Sequence, residues 1–127
     1  LFNSDNWSDL NNYWKYTCTY CLVLNKKDSL AVGRFKKYYV SYGFEDTDLG
    51  YELYKRNKKF KLVKTPLLHL TSYNHMQYKN SKITRLKLLR KTAALFYLQH
   101  LDKNIYQLFG NFYNFEKPIK SFLKDLF

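Results

Sequence analysis

Four glycines and two prolines are spread over 127 residues, and no stretch is dominated by Ser, Gly, Pro or Gln. A flexible linker or a low-complexity tail is therefore excluded, and no internal repeat is visible. Long hydrophobic runs are missing as well. The longest, such as residues 92–98, fall far short of the roughly 20 residues that a membrane span needs, and no signal-peptide pattern opens the chain. The expectation is a soluble or peripheral protein. Cysteine is limited to Cys18 and Cys21. Zinc requires four ligands, and in the strand expected here residues three apart point to opposite faces. Structural thiols in a reducing compartment are therefore expected. Acid is the scarce charge, with 10 Asp and Glu against 22 Lys and Arg and a net charge of +12. Such a surface attracts anions, whether nucleic acid, anionic lipid or nucleotide diphosphates, by steering that salt screens.

The chain is rich in apolar and aromatic side chains, at 46% and 20%, enough for a packed core within the size of one domain. Its first fifteen residues, without an initial Met, read as an irregular lead-in from something upstream. Tyr16 to Leu24 combine β-branched and aromatic types and predict a strand, followed by a short helix through Leu30 to Val32 that Gly33 stops. A helix is expected from near Glu45 to Arg56, with Glu45, Asp46 and Asp48 in its first turn. The alternation in Phe60-Lys61-Leu62-Val63-Lys64 predicts a half-buried strand closed by Pro66. A second long helix, from about Ser81 to Leu101, carries Ile83, Leu86, Leu89, Ala93, Phe96 and Tyr97 as an apolar stripe with basic flanks. Residues 105–127 have helix-like spacings that Gly110 and Pro118 interrupt. The expected class is α/β, short of strands for a complete sheet.

Chemistry concentrates in Tyr42-Gly43-Phe44-Glu45-Asp46-Thr47-Asp48-Leu49-Gly50-Tyr51-Glu52-Leu53. Carboxylates accept hydrogen bonds from hydroxyls and can remove their protons, so this cluster suits a sugar hydroxyl as clamp and base. The same acids are also what a helix start favours on stability grounds alone. Repulsion between Glu45 and Asp46 and attraction by the helix N-terminus act oppositely on their titration.

The segment resembles the aromatic-Gly-x-Glu-Asp-x-Asp-Leu-x-x-Arg-Leu motif on the acceptor side of family 2 glycosyltransferases and related galactosyl- and N-acetylgalactosaminyltransferases of the GT-A fold. Upstream, Cys21 to Phe35 resembles the strand, short helix and Gly-Gly-Phe turn that precede the motif. Downstream, Tyr54 to Leu62 followed by His69 resembles the strand ending in a metal-binding histidine. The likeness covers about residues 16–75 and implies the C-terminal half of a GT-A domain with appended helices. Residues 1–78 would be its acceptor-side part and residues 79–127 a basic amphipathic helical extension. By this resemblance Asp46 is the catalytic base, Glu45 the acceptor-binding neighbour, and Tyr42, Gly43 and Asp48 border the substrate. His69 becomes the ligand of a divalent cation, Mn2+ or Mg2+. The implied partners are a nucleotide-sugar donor and a glycan or other hydroxyl acceptor, in an inverting transfer.

Two departures stand out. Arg34 occupies the place of the second glycine, and Glu52 that of a frequent arginine. The nucleotide-binding half with its Asp-x-Asp motif is not found in the chain, so the fragment alone should not transfer sugar. Read without the resemblance, His69 and His75 are structural side chains. Two other classes remain open. The basic, aromatic run Lys36-Lys37-Tyr38-Tyr39 suits a nucleic-acid-binding module, although the acidic cluster would repel a phosphate backbone. The Ser81 to Leu101 helix suits contact with a partner protein or an anionic membrane, which gives a cytoplasmic protein with peripheral membrane association.

Overall fold

A computed structural model describes residues 12–17, 22–40, 43–61, 63, 82–107 and 120. Tyr13–Tyr16 form a 3-10 helix, followed by α1 (Lys26–Ala31), α2 (Glu45–Lys55) and α3 (Lys82–His100). Residues 103–107 make a further helical turn. The chain divides into two compact units, Leu1–Lys36 with Glu45–Ser72 and Lys37–Phe44 with Tyr73–Phe127.

The α/β expectation is overturned: the described residues are helical, and no strand or sheet occurs among them. Where the strand over 16–24 was expected, Tyr16 ends the 3-10 helix and residues 22–24 carry no regular structure. The reason is legible in burial. Leu22 and Leu24 pack on the core while Val23 between them is 98% exposed. Phe60 likewise packs inward beside exposed Lys61. Alternation correctly marks which side chains face the core, but a strand also needs a ladder partner for its backbone, and periodicity carries no information about that.

In the first unit the helix ends follow local rules. Asn25 caps α1 by accepting from the Lys27 N–H at 2.8 Å. At its other end Arg34 N–H reaches the Ser29 carbonyl at 2.9 Å and Gly33 N–H the Leu30 carbonyl at 3.0 Å. This pair of bonds is a Schellman motif, with Gly33 left-handed at φ 79°. Helix α2 ends the same way without glycine: Asn57 takes φ 55°, while Lys58 N–H bonds Leu53 and Asn57 N–H bonds Tyr54. Asparagine tolerates the left-handed region best among residues with a Cβ.

Helix α2 packs its buried face against the 3-10 helix. Trp14, fully buried, meets Tyr51 edge-on with ring centroids 4.9 Å apart. Tyr13 packs edge-on to Tyr54 at 5.2 Å and tilts onto Phe60 at 4.9 Å. Burial of each such ring is worth about 1.5–3 kcal/mol, and a good ring pair adds about 0.5–1.5 kcal/mol. Val32, Leu49 and Leu53 complete the core, and a Lys58–Asp28 ion pair at 2.7 Å ties the chain after α2 to α1.

Gly50 permits this approach. A Cβ there would lie 2.6 Å from Thr17 Cβ and 3.0 Å from the Trp14 carbonyl oxygen, and would also strike Thr17 Oγ1. Alanine would gain about 1 kcal/mol in helix propensity, but overpacking against a backbone carbonyl costs about 1–3 kcal/mol. Gly50→Ala is therefore expected to lower the urea midpoint. A raised midpoint would show that the contact is loose.

The Tyr13 hydroxyl donates to the Lys58 carbonyl at 2.7 Å. Burial, and secondarily the nearby Tyr54, push its pKa above the ordinary 10.0. The folded state thus holds this proton more tightly than the unfolded chain. The corresponding stability is complete below pH 10 and is lost as pH rises through the folded pKa. Tyr13→Phe should cost about 1 kcal/mol at neutral pH by removing the bond. Its melting temperature should then fall less steeply than that of the parent in an alkaline titration.

In the second unit, Thr92, Ala93, Ala94 and Phe96 of α3 are buried together with Ile105. Phe44 stacks parallel to Phe96 at 6.2 Å, and Tyr97 tilts against Tyr106 at 5.7 Å. Asp102 caps the short turn after α3 by accepting from Asn104 N–H at 2.7 Å. Leu86, expected in the apolar stripe of α3, is 40% exposed, and the fully buried positions of α3 among the described residues are Thr92, Ala93, Ala94 and Phe96.

Candidate active site

The acids of the acceptor-like segment sit where the backbone turns sharply into α2. Gly43 has φ 109° and Phe44 φ 70°. The first value is open to glycine alone, and the second is rare for a residue with a side chain. A Cβ on Gly43 would also meet Leu89 Cδ1 at 2.5 Å and Thr92 Oγ1 at 3.4 Å. Two independent constraints therefore fix glycine before the helix.

Glu45 and Asp46 follow as the first two residues of α2, each half-buried. The Thr47 N–H donates to Asp46 Oδ1 at 2.9 Å. This bond satisfies one of the four N–H groups that a helix start leaves without a partner. It also fixes the orientation of the carboxylate while leaving the residue within reach of solvent. Asp48 differs. It is 0% exposed, next to buried Leu49 in α2, and takes part in an interaction within the chain.

Glu52 pairs with Lys55 at 3.0 Å, and Lys55 also lies 5.3 Å from the centre of the Tyr51 ring. Tyr42, His69 and His75 lie outside the described residues, as do Cys18 and Cys21. Of the residues singled out by sequence, the structure brings Glu45 and Asp46 together at one helix start, with Gly43 two residues before them.

Arg34 carries a signal that sequence reasoning treated only as a departure. Its φ is 59°, directly after left-handed Gly33, and its side chain is exposed. A glycine in its place would adopt that conformation without strain. Arg34→Gly is accordingly expected to raise stability by about 0.5–1 kcal/mol, strain relief outweighing the larger entropy of the unfolded chain. Unfolding in urea checks this, and a loss of stability would mean that the arginine side chain makes a compensating contact.

No family model matches the chain, and no curated protein or solved structure matches it either. Among the described residues no helix is long and apolar enough to cross a membrane.

Proposed function

We propose that this chain supplies the acceptor side of a glycosyltransferase, with Asp46 as the general base and Glu45 as the residue that positions the attacking hydroxyl. One observation carries the reading: two adjacent, half-buried carboxylates open α2 directly after a glycine turn, and one of them is oriented by a backbone N–H. A base needs access and a fixed direction, and the half-burial of Asp46 and its bond from Thr47 N–H support this assignment. The reading rests on this segment and does not require an α/β fold.

In the reaction, the acceptor hydroxyl oxygen bonds to the anomeric carbon of a nucleotide-sugar as the bond to the nucleotide diphosphate breaks. The hydroxyl proton passes to the Asp46 carboxylate. Glu45 accepts a hydrogen bond from a neighbouring hydroxyl of the acceptor and holds it for in-line attack. Asp48, enclosed in the core, acts from behind by anchoring the helix that presents the other two. The nucleotide is assigned to the remainder of the enzyme. A divalent cation, Mn2+ or Mg2+, would neutralise the leaving phosphates. His69, the residue proposed to hold it, lies outside the described residues, so no step is derived through the ion.

Asp46→Asn in the full-length enzyme separates catalysis from helix stabilisation. The amide oxygen of asparagine can still accept from Thr47 N–H, so the melting temperature should stay close to that of the parent. Transfer should fall on the order of 100-fold or more, because an amide takes no proton. Asp46→Ala, which also loses the hydrogen bond, should in addition lose about 1 kcal/mol of stability. Near-normal transfer by a folded Asp46→Asn variant would leave these acids a helix-start role only.

A further inference from the structure

Helix α3 carries its charge at the wrong end. Lys82, Arg85, Lys87, Arg90 and Lys91 all fall in its first ten residues, and Lys82–His100 contains no Asp or Glu. The N-terminus of a helix is the positive end of its dipole, so Lys82 and Arg85 in the first turn oppose it. The cations also oppose one another: Lys87 and Lys91 are four residues apart, and Lys87 and Arg90 three, which are the spacings that bring side chains together. Acids interspersed among them would relieve that repulsion, and the helix has none.

The cations are outward. Lys87, Arg90 and Lys91 are all exposed, with Thr84 on the same arc and Leu86, 40% exposed, at its edge. In the second half of the helix the chemistry reverses. Thr92, Ala93, Ala94 and Phe96 are buried there, with no Lys or Arg from Thr92 to His100. Along the helix the fully buried positions follow the cations, and Leu88 and Leu89 between them are half-buried, Leu89 on the opposite side from Lys87 and Lys91. Among the described residues, none of these three cations forms an ion pair.

We propose that the Thr84–Lys91 stretch of α3 is a docking face for an anionic lipid surface. Cations whose placement costs the helix stability are offset when a dense array of negative headgroups lies against them, and each lysine or arginine near such a surface adds to the attraction. Leu86 at the edge of the cationic arc favours lipid over nucleic acid. An apolar side chain can enter the boundary between headgroups and acyl chains, whereas a polyanion offers it only phosphate and base edges. The face lies on one helix of the second unit, so the docking proposal stands independently of the catalytic one.

The test is co-sedimentation of the full chain with phosphatidylcholine vesicles, with and without phosphatidylserine, at low and high salt. Binding is expected only with phosphatidylserine and should weaken as salt screens it. Lys87→Gln, Arg90→Gln and Lys91→Gln combined should weaken partitioning on the order of 100-fold. The melting temperature of this variant should be unchanged or higher, since repulsion within the helix is relieved. The control removes the same charge from exposed lysines of the first unit, as Lys26→Gln, Lys27→Gln and Lys59→Gln, and should retain most of the binding. Absence of binding to the anionic vesicles overturns the proposal. Equal loss in the two triple variants also does so, since net charge and no particular face would then be responsible. Tighter binding to a mixed-sequence oligonucleotide than to the vesicles would assign the face to nucleic acid instead.

Discussion

The contact on which the first unit depends is the approach of α2 to the backbone of the 3-10 helix at Gly50. With no side chain at that point, the helix comes within van der Waals reach of the Trp14 carbonyl and Thr17. Only then can Tyr51 reach the edge of Trp14 and Tyr54 that of Tyr13. Dispersion and apolar burial fall off steeply with small gaps, so a displacement by one methyl group would loosen several ring contacts together. Thr17 Oγ1, buried here with no hydrogen-bond partner among the described residues, is consistent with packing favoured over polar satisfaction at this point.

Burial in α2 depends on distance from its start. Asp48, Leu49, Gly50 and Tyr51 are buried around the whole circumference of the helix. Glu45 and Asp46, at the first turn, stay half-buried. At the other end Asn57 and Lys58 close the helix in a Schellman motif, and the Lys58 carbonyl accepts from Tyr13. The middle of α2 and the residues just after it are therefore held by the same short segment around Tyr13 and Trp14.

Helices were the legible part of this sequence, because their signals are local. Asn25 and Gly33 bracket α1, the acids of residues 45–48 mark the start of α2, and α3 ends one residue before the expected Leu101. Strands were not legible, since the feature that defines them is a partner elsewhere in the chain. Leu22 and Leu24 turn inward and Val23 outward, as a strand would have them, yet their backbone joins no ladder. At the candidate site the positions of Glu45 and Asp46 could be read from the motif. The enclosure of Asp48 and the left-handed backbone at Arg34 arise from packing and chain reversal, which the residue pattern alone does not specify.

The two charged helix starts argue for function with opposite logic. At α2 the acids agree with the dipole, so stability alone would select them, and their chemistry has to be argued from accessibility and from the oriented Asp46 carboxylate. At α3 the first-turn cations disagree with the dipole, and the cations that follow repel one another at three- and four-residue spacings. A sequence that bears such a cost has a local conflict, and conflicts of this kind concentrate at functional positions. The acidic start thus has the better-defined chemistry, because its carboxylates can be matched to a proton transfer. The basic start has the clearer need for a partner, because nothing inside its own helix compensates its charge.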